Sequence, residues 1–441
     1  MNAGFGKVEI TPRVGVELCG FGPYLNRHST RVVEPLYARA MAVELGDARW
    51  VLISCDLLGV SAQLTQQVRT RVRQATNLRD DQIMVHATHT HSGPCATPEL
   101  IGWGDSDDPY LEILPRLIAA AGIQAVRDLA PATLHHAEVP ATGFSYNREF
   151  SDPGRTNELA MDWQWQTDRP AETDTSAHVL RIDRGGQCAG FLTYFSCHPV
   201  VCCERNTEIH GDFVGSATNR MEKEFPGAVG LFLQGAHGDL NSNYVHGMPA
   251  QSLVALERFS ARFASVIRAG LQQARSVPVT KISAVVGDEP YSQEKFAEPA
   301  LRDQLAGYEA TLANADPRLE DRDSRMAMVY AKGLRKILAD GRRQSPLPVQ
   351  SFRLGPVTFT GLPLELMHRI KRRFQSELGD RALLLSVTND FLGYAPLREY
   401  YEASTIRYAV RTVPLMVGRR PFTANIEDEV LAAALKVTRK I

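Results

Sequence analysis

The chain has 441 residues, with 49 basic and 50 acidic side chains for a formal net charge of −1, and 44% of its residues are hydrophobic. That length suits one large enzyme-sized unit or two intimate ones, with a core big enough to enclose a pocket. The balanced charge gives no bulk attraction to nucleic acid or an anionic membrane, and no run approaches the ~18–20 apolar residues of a membrane span.

The first segment, 6–10, alternates like a strand until Thr11-Pro12 breaks it. Residues 41–45 and 50–55 read as a hairpin turned by Gly46-Asp47; the second strand is apolar enough to be buried and runs into Asp56. Helix formers fill 62–76, a strand returns at 83–85, and a second helix is expected over 111–129. Residues 179–182 and 190–196 form another hairpin pattern, and 229–233 is a further buried-type strand. A helix is expected over 252–274. Residues 294–343 read as mostly helical with a polar break near Asp316-Pro317. That region has few apolar anchors for its length, so it reads as a polar insertion or lid, about 289–345. Strands at 351–354 and 357–360, a helix from Leu364, a strand at 383–387 and a closing helix over 426–437 complete the chain. The alternation predicts an α/β fold, a layered mixed β-sheet flanked by helices, in one unit over 1–441.

Met1-Asn2-Ala3-Gly4-Phe5-Gly6 has neither the basic nor the apolar stretch of a signal peptide, so a cytoplasmic location is expected. The seven cysteines form no paired CxxC pattern, which speaks against a zinc ribbon and for reduced, buried thiols.

The most informative segment is Val85-His86-Ala87-Thr88-His89-Thr90-His91-Ser92-Gly93-Pro94, which leaves an apolar strand and enters a Gly-Pro turn. Sites in α/β proteins collect at such strand ends. Residues two apart share a face of a strand, so His89 and His91 are expected to point one way and His86 the other. Two converging imidazoles suit a metal ligand with a hydrogen-bonding partner, or equally two hydrogen-bonded loop histidines. A second apolar run ends in Ser196-Cys197-His198-Pro199. Glu208-Ile209-His210-Gly211-Asp212 and Gln234-Gly235-Ala236-His237-Gly238-Asp239 are polar, Gly-bearing stretches, whose Asp212 and Asp239 are either turn residues or supports of a site; the second directly follows the strand 229–233 and is expected at the same edge as the histidines. Glu365 is placed at the opening of a helix among apolar neighbours, where the helix dipole alone would favour it. Asn389-Asp390-Phe391-Leu392-Gly393-Tyr394 follows a late strand, with Tyr400-Tyr401-Glu402 beyond.

Taken together these segments resemble the catalytic domain of the neutral/alkaline non-lysosomal ceramidase family. The resemblance is ordered along nearly the whole chain. It runs through Gly4-Phe5-Gly6-Lys7-Val8-Glu9-Ile10-Thr11-Pro12, Thr88-His89-Thr90-His91-Ser92-Gly93-Pro94, Asn147-Arg148 and His198-Pro199. It continues in Gly238-Asp239, Pro363-Leu364-Glu365, Gly393-Tyr394 and Tyr401-Glu402-Ala403-Ser404-Thr405. It implies a zinc ion held by His89, His198, Glu365 and Tyr394. It also implies that His91, Arg148 and Tyr401 face the carbonyl of an amide cleaved by metal-activated water. Neutral imidazoles, a carboxylate and a phenolic oxygen are acceptable zinc ligands. The family's Gly-Asp-x-Ser-Pro-Asn reads here as Gly238-Asp239-Leu240-Asn241-Ser242-Asn243, so Asn241 replaces its active-site Ser. The immunoglobulin-like domain that follows in the family is not expected in a sequence ending at Ile441. These departures keep the metal chemistry and loosen the tie to ceramide, leaving a small-molecule amide or ester, lipid or not, as the expected substrate. Two rival readings use the same residues: a TIM-barrel amidohydrolase, drawing on His237 and Asp390, and a binding module on the same scaffold without catalysis.

Overall fold

The computed structural model describes residues 1–441 except 23, 99–101, 151–153, 296, 317–320, 341–345 and 403–407. Three open sheets organise it. The first orders its strands Ile83–Ala87, Ala48–Cys55, Tyr37–Leu45, Asn2–Glu9 and Ala130–Pro131. The second runs Val229–Gln234, Gln187–Phe195, Ser176–Arg184, Thr133–Pro140 and Arg275–Val277. The third runs Ile282–Glu289, Leu347–Leu354, Val357–Gly361 and Ala382–Leu385.

Each sheet is mixed, with a parallel pair at one edge. The pairs are linked through the helices Ala62–Thr76, Asp212–Glu224 and His368–Leu378 respectively. Parallel neighbours need such a crossover, and their strands are covered on both faces, which is why 50–53 and 83–85 are apolar throughout and the strands are buried to their ends at Cys55 and Ala87. The helix after the first strand starts where it does because the Ser61 side chain accepts from the backbone N–H of Leu64.

The inner faces of the three sheets meet in one core. Met41, Trp50 and Leu52 come from the first sheet, Leu180, Leu192 and Leu231 from the second, and Phe352, Phe359 and Leu383 from the third. Polar ties fix how the sheets sit on each other. Ser54 Oγ donates to the Phe232 carbonyl at 2.6 Å, and the Tyr194 hydroxyl donates to the Leu384 carbonyl at 3.0 Å. Trp50 stacks on Phe352 with ring centroids 4.7 Å apart. Outer faces are covered by helices: Ala62–Thr76 and Asp108–Arg127 on the first sheet, Asp212–Glu224 and Pro249–Gln273 on the second.

Open sheets exclude the barrel reading: among the described residues no sheet closes on itself. Glu365 also departs from expectation. It lies in a two-residue strand, Glu365–Leu366, pairing in parallel with Tyr394–Ala395, and the helix begins only at His368. The polar region of the sequence contains the helices Glu298–Ala313 and Arg322–Ala339, the first burying only Leu301. Pro317 and Arg343 lie outside the described residues. Among the described residues no helix is long and apolar enough to cross a membrane.

Candidate metal centre

Because all three parallel pairs end toward the same region, their carboxyl ends deliver side chains to one place, as open α/β sheets do. Past Ile83–Ala87 the chain is pinned by backbone hydrogen bonds from Thr88 to Cys55 and from His89 to Leu57, both 2.9 Å. His89 itself has φ +70°, a left-handed conformation costing ~1–3 kcal/mol and characteristic of functional turns. The turn, not strand alternation, therefore aims His89 and His91. His86, still within the strand, acts as a clamp between sheets. Its Nε2 accepts from the Gln234 backbone N–H at 2.8 Å and its Nδ1 lies 3.0 Å from Thr388 Oγ1. Burial pushes its pKa down to about 3, so it stays neutral in that role.

His89 Nδ1 is 2.7 Å from the Leu58 carbonyl, His198 Nδ1 2.7 Å from the His237 carbonyl, and His237 Nδ1 3.0 Å from the Gly235 carbonyl. A carbonyl can only accept, so each ring carries its proton on Nδ1 and presents a bare Nε2. Those nitrogens lie 3.5, 3.0 and 3.6 Å from Glu365 Oε2 in the order His89, His198, His237. All four atoms are buried and without a hydrogen-bond partner, and they fall within 4.8 Å of one another. Four converging lone-pair atoms with no proton between them repel unless a cation sits among them, and imidazole Nδ1–H held by a carbonyl is the usual support of a metal-ligating histidine. The donor set fits a borderline metal such as zinc.

Tyr394 is brought to Glu365 by strand pairing, and its hydroxyl lies against both the Glu365 carboxylate and the Arg148 guanidinium. Arg148 follows the strand Ser145–Asn147, which pairs with Leu240–Ser242. It donates from Nη2 to the Gly238 carbonyl at 2.6 Å and from Nη1 to Asn241 Oδ1 at 3.4 Å. Asn241 thus orients Arg148 through a side-chain carbonyl. Burial works against the charge on Arg148, but the neighbouring Tyr394 and Glu365 more than offset it. His91 is buried with both ring nitrogens unpartnered, its centroid 4.9 Å from that of His89. Burial first, then the neighbouring His89 and His198, push its pKa well below the usual imidazole range. A cavity of about 320 Å³ opens over this floor, with Phe21, Trp103, Phe391 and Tyr408 among its walls.

The structure thus brings His89, His91, Arg148, His198, Glu365 and Tyr394 to one cavity. It does not bring Tyr401 there. Tyr401 is half-buried on the short helix Glu399–Glu402 with Glu294, Arg411 and Glu429 as its charged neighbours. Tyr408, on a π-helical turn, lines the cavity instead. Ala403, Ser404 and Thr405 lie outside the described residues. Asp239 supports the site without entering it, accepting from Asn147 Nδ2 and from the His368 backbone, with burial raising its pKa to about 6. Asp390 binds the Ala62 backbone N–H. His237 joins the cluster: the sequence places its stretch at the same sheet edge as the other histidines, but gives His237 a ligand role only in the barrel alternative. The signal was present: like His89 and His198, it follows a buried apolar strand within three residues. Cys202, His210 and Asp212 also approach one another, but His210 Nδ1 accepts from the Asp212 backbone and the Asp212 carboxylate accepts from Val201, Cys202 and Phe213, so this group is a hydrogen-bonded turn.

An α/β scaffold with a buried three-imidazole, one-carboxylate cluster under a cavity defines a candidate metal centre of the kind hydrolytic enzymes use. Residues 1–253 match the family model of the neutral/alkaline non-lysosomal ceramidase N-terminal region; the chain belongs to that family. A neutral ceramidase from Mycobacterium tuberculosis is 27% identical over 218 residues, covering 45% of this chain and about a third, 33%, of that protein's length. Among solved structures, neutral ceramidase from Pseudomonas aeruginosa superposes with a TM-score of 0.71 at 19% identity, covering 99% of this chain and 75% of that one. A ceramidase complexed with C2 gives a TM-score of 0.70 at 18% identity, with 99% and 76% covered. The structural matches establish the fold as the ceramidase fold.

Proposed function

We propose that this protein is a zinc-dependent hydrolase that cleaves the amide bond of an N-acyl substrate, a ceramide-like lipid or another N-acyl amide or ester. The observation that carries this reading is the set of unpartnered Nε2 and Oε2 atoms of His89, His198 and Glu365 on the floor of a cavity that Tyr394, His91 and Arg148 share. Bound there, zinc would polarise the scissile carbonyl and lower the pKa of a water from about 15.7 towards ~7, making it a nucleophile at neutral pH. Tyr394 would offer its phenolic oxygen beside Glu365.

The chain's own residues supply the rest. Arg148 is fixed by two oxygen acceptors and stays charged, so it faces negative charge developing on the carbonyl oxygen without having to reorganise. His91 has no competing partner and is free to donate one N–H to the same oxygen. Attack by water oxygen on the carbonyl carbon and rupture of the C–N bond release a carboxylate and an amine, which takes the proton. The aromatic walls exclude water around the reacting centre. About 320 Å³ accommodates the amide and its immediate substituents, so longer acyl chains must lie beyond the cavity.

Elemental analysis of protein purified without added metal, followed by assays on N-acyl amides of graded chain length with ceramide among them, tests the proposal. The expected result is about one zinc per chain and release of free amine that stops on chelation. Zinc-loaded protein that hydrolyses none of these amides or the matching esters would overturn it.

A further inference from the structure

We infer that His237 is itself a metal ligand, so that this chain holds its metal through three imidazoles and one carboxylate. The inference rests on the metal-dependent reading above and extends it to a residue outside the ligand set which the family resemblance implies.

Three observations place His237 in the coordination sphere. First, its ring is oriented for it: Nδ1 is taken by the Gly235 carbonyl, leaving a bare Nε2 buried, unpartnered and 3.6 Å from Glu365 Oε2. Second, it sits as close to its fellows as they sit to each other. Its ring centroid is 4.4 Å from that of His89 and 4.5 Å from that of His198, against 5.0 Å between those two. Third, the backbone locks it there. The His237 carbonyl is the acceptor that orients His198, and the next residue, Gly238, donates to the Leu366 carbonyl at 2.8 Å. A Cβ at Gly238 would come within 2.9 Å of the Glu365 carbonyl, so this chain and the Glu365 strand approach as closely as glycine allows.

The position has a chemical consequence. His89, His198 and Glu365 line the cavity, whereas His237 is fully buried and does not. A metal held here would be met by His237 from the buried side, leaving Tyr394, His91 and Arg148 on the side of the cavity. A bare imidazole nitrogen buried against a carboxylate oxygen with no proton between them is otherwise a costly arrangement to keep.

The test compares metal binding by the chelator-treated wild type and the His237→Ala protein, by competition with a chromogenic chelator. X-ray absorption of the zinc-loaded wild type counts imidazoles independently of any variant. Loss of a support outside the coordination sphere costs ~10–100-fold in affinity. The inference expects His237→Ala to lose more than about 100-fold, and absorption to fit three imidazoles. A smaller loss, or two imidazoles in the wild type, would overturn it while leaving the metal-dependent reading intact. A wild type that takes up no metal would overturn both. Should His237→Ala fail to fold, as judged by circular dichroism, the imidazole count alone decides.

Discussion

Replacing Gly20 by alanine should disable the site through a residue that has no side chain of its own to bind metal or substrate. Gly20 has φ +130°, and a Cβ built there would lie 2.6 Å from both Cγ and Nδ1 of His91. Carbon contacts normally settle at ~3.5–4.0 Å, so the ring or the loop must yield by about 1 Å. The ring has little room, because the Phe21 ring packs edge-on with centroids 4.8 Å apart. The backbone strain alone is worth ~1–3 kcal/mol, and overpacking a filled site adds ~1–3 kcal/mol. A total destabilisation of about 4 kcal/mol is expected, the sum of the two. Gly46→Ala is the control. That glycine, at φ +58° in the exposed hairpin turn, has nothing within 4 Å of its would-be Cβ and should lose ~1–2 kcal/mol from strain alone. Urea unfolding measures both. Misplacement of a participating group by about 1 Å commonly costs ~10²-fold in rate, so Gly20→Ala should keep its metal while turnover of an N-acyl amide falls by about that factor. Equal stability losses in the two variants, with full turnover by Gly20→Ala, would refute the packing argument and the role of His91.

Three further outcomes follow from the same structure. Glu365→Ala should bind no metal, whereas His91→Ala should keep it and lose ~10²–10³-fold in turnover; metal content and rate on the same preparations separate the two, and tight metal binding by Glu365→Ala would end the ligand assignment. Arg39→Met should destabilise by ~3–5 kcal/mol in chemical denaturation, because it leaves the buried Asp56 carboxylate, held by Arg39 at 2.7 Å, without its cation, while Glu222, 3.1 Å from Arg39, keeps Lys7 at 2.6 Å; a loss under about 1 kcal/mol would show that the Asp56 charge finds another partner. Acid should unfold the protein early. His86, His178 and His210 are pushed by burial to about 3, so below the unfolded value of ~6.5 the unfolded chain binds protons that the folded one refuses. Their stabilisation is complete above pH ~6.5 and shrinks as pH falls, by about 2 kcal/mol each by pH 5, while Asp212 and Asp239, raised to about 6, return ~1 kcal/mol apiece. Metal-free protein with the same melting temperature at pH 7 and pH 5 would contradict this balance.

What the sequence revealed and what it hid divide along physical lines. The strand–helix–strand units were legible because their signals are local. Helix formers fill Ala62–Thr76, and the largely apolar runs at 50–55, 83–85 and 229–233 suit strands covered on both sides. That His89 and His198 follow such strands was legible for the same reason. Glu365 was misplaced into a helix because its true partner is Tyr394, a pairing fixed by a tertiary contact that propensity does not encode. The family resemblance named both residues as ligands, yet only the fold shows why they meet. Tyr401 and Tyr408 present the same side chain seven positions apart, and which one reaches the cavity depends on a π-helical turn with no local signature. His237 was legible in part: following the strand Val229–Gln234 put it at the same edge as His89 and His198, but that it meets them emerges only once the three parallel pairs are known to end together. Convergence of strand ends is a property of how the three sheets pack, fixed by contacts such as Ser54 to Phe232 and His86 to Gln234 that join residues far apart in the chain. The chemistry of each ligand is therefore local, and the centre they form is tertiary.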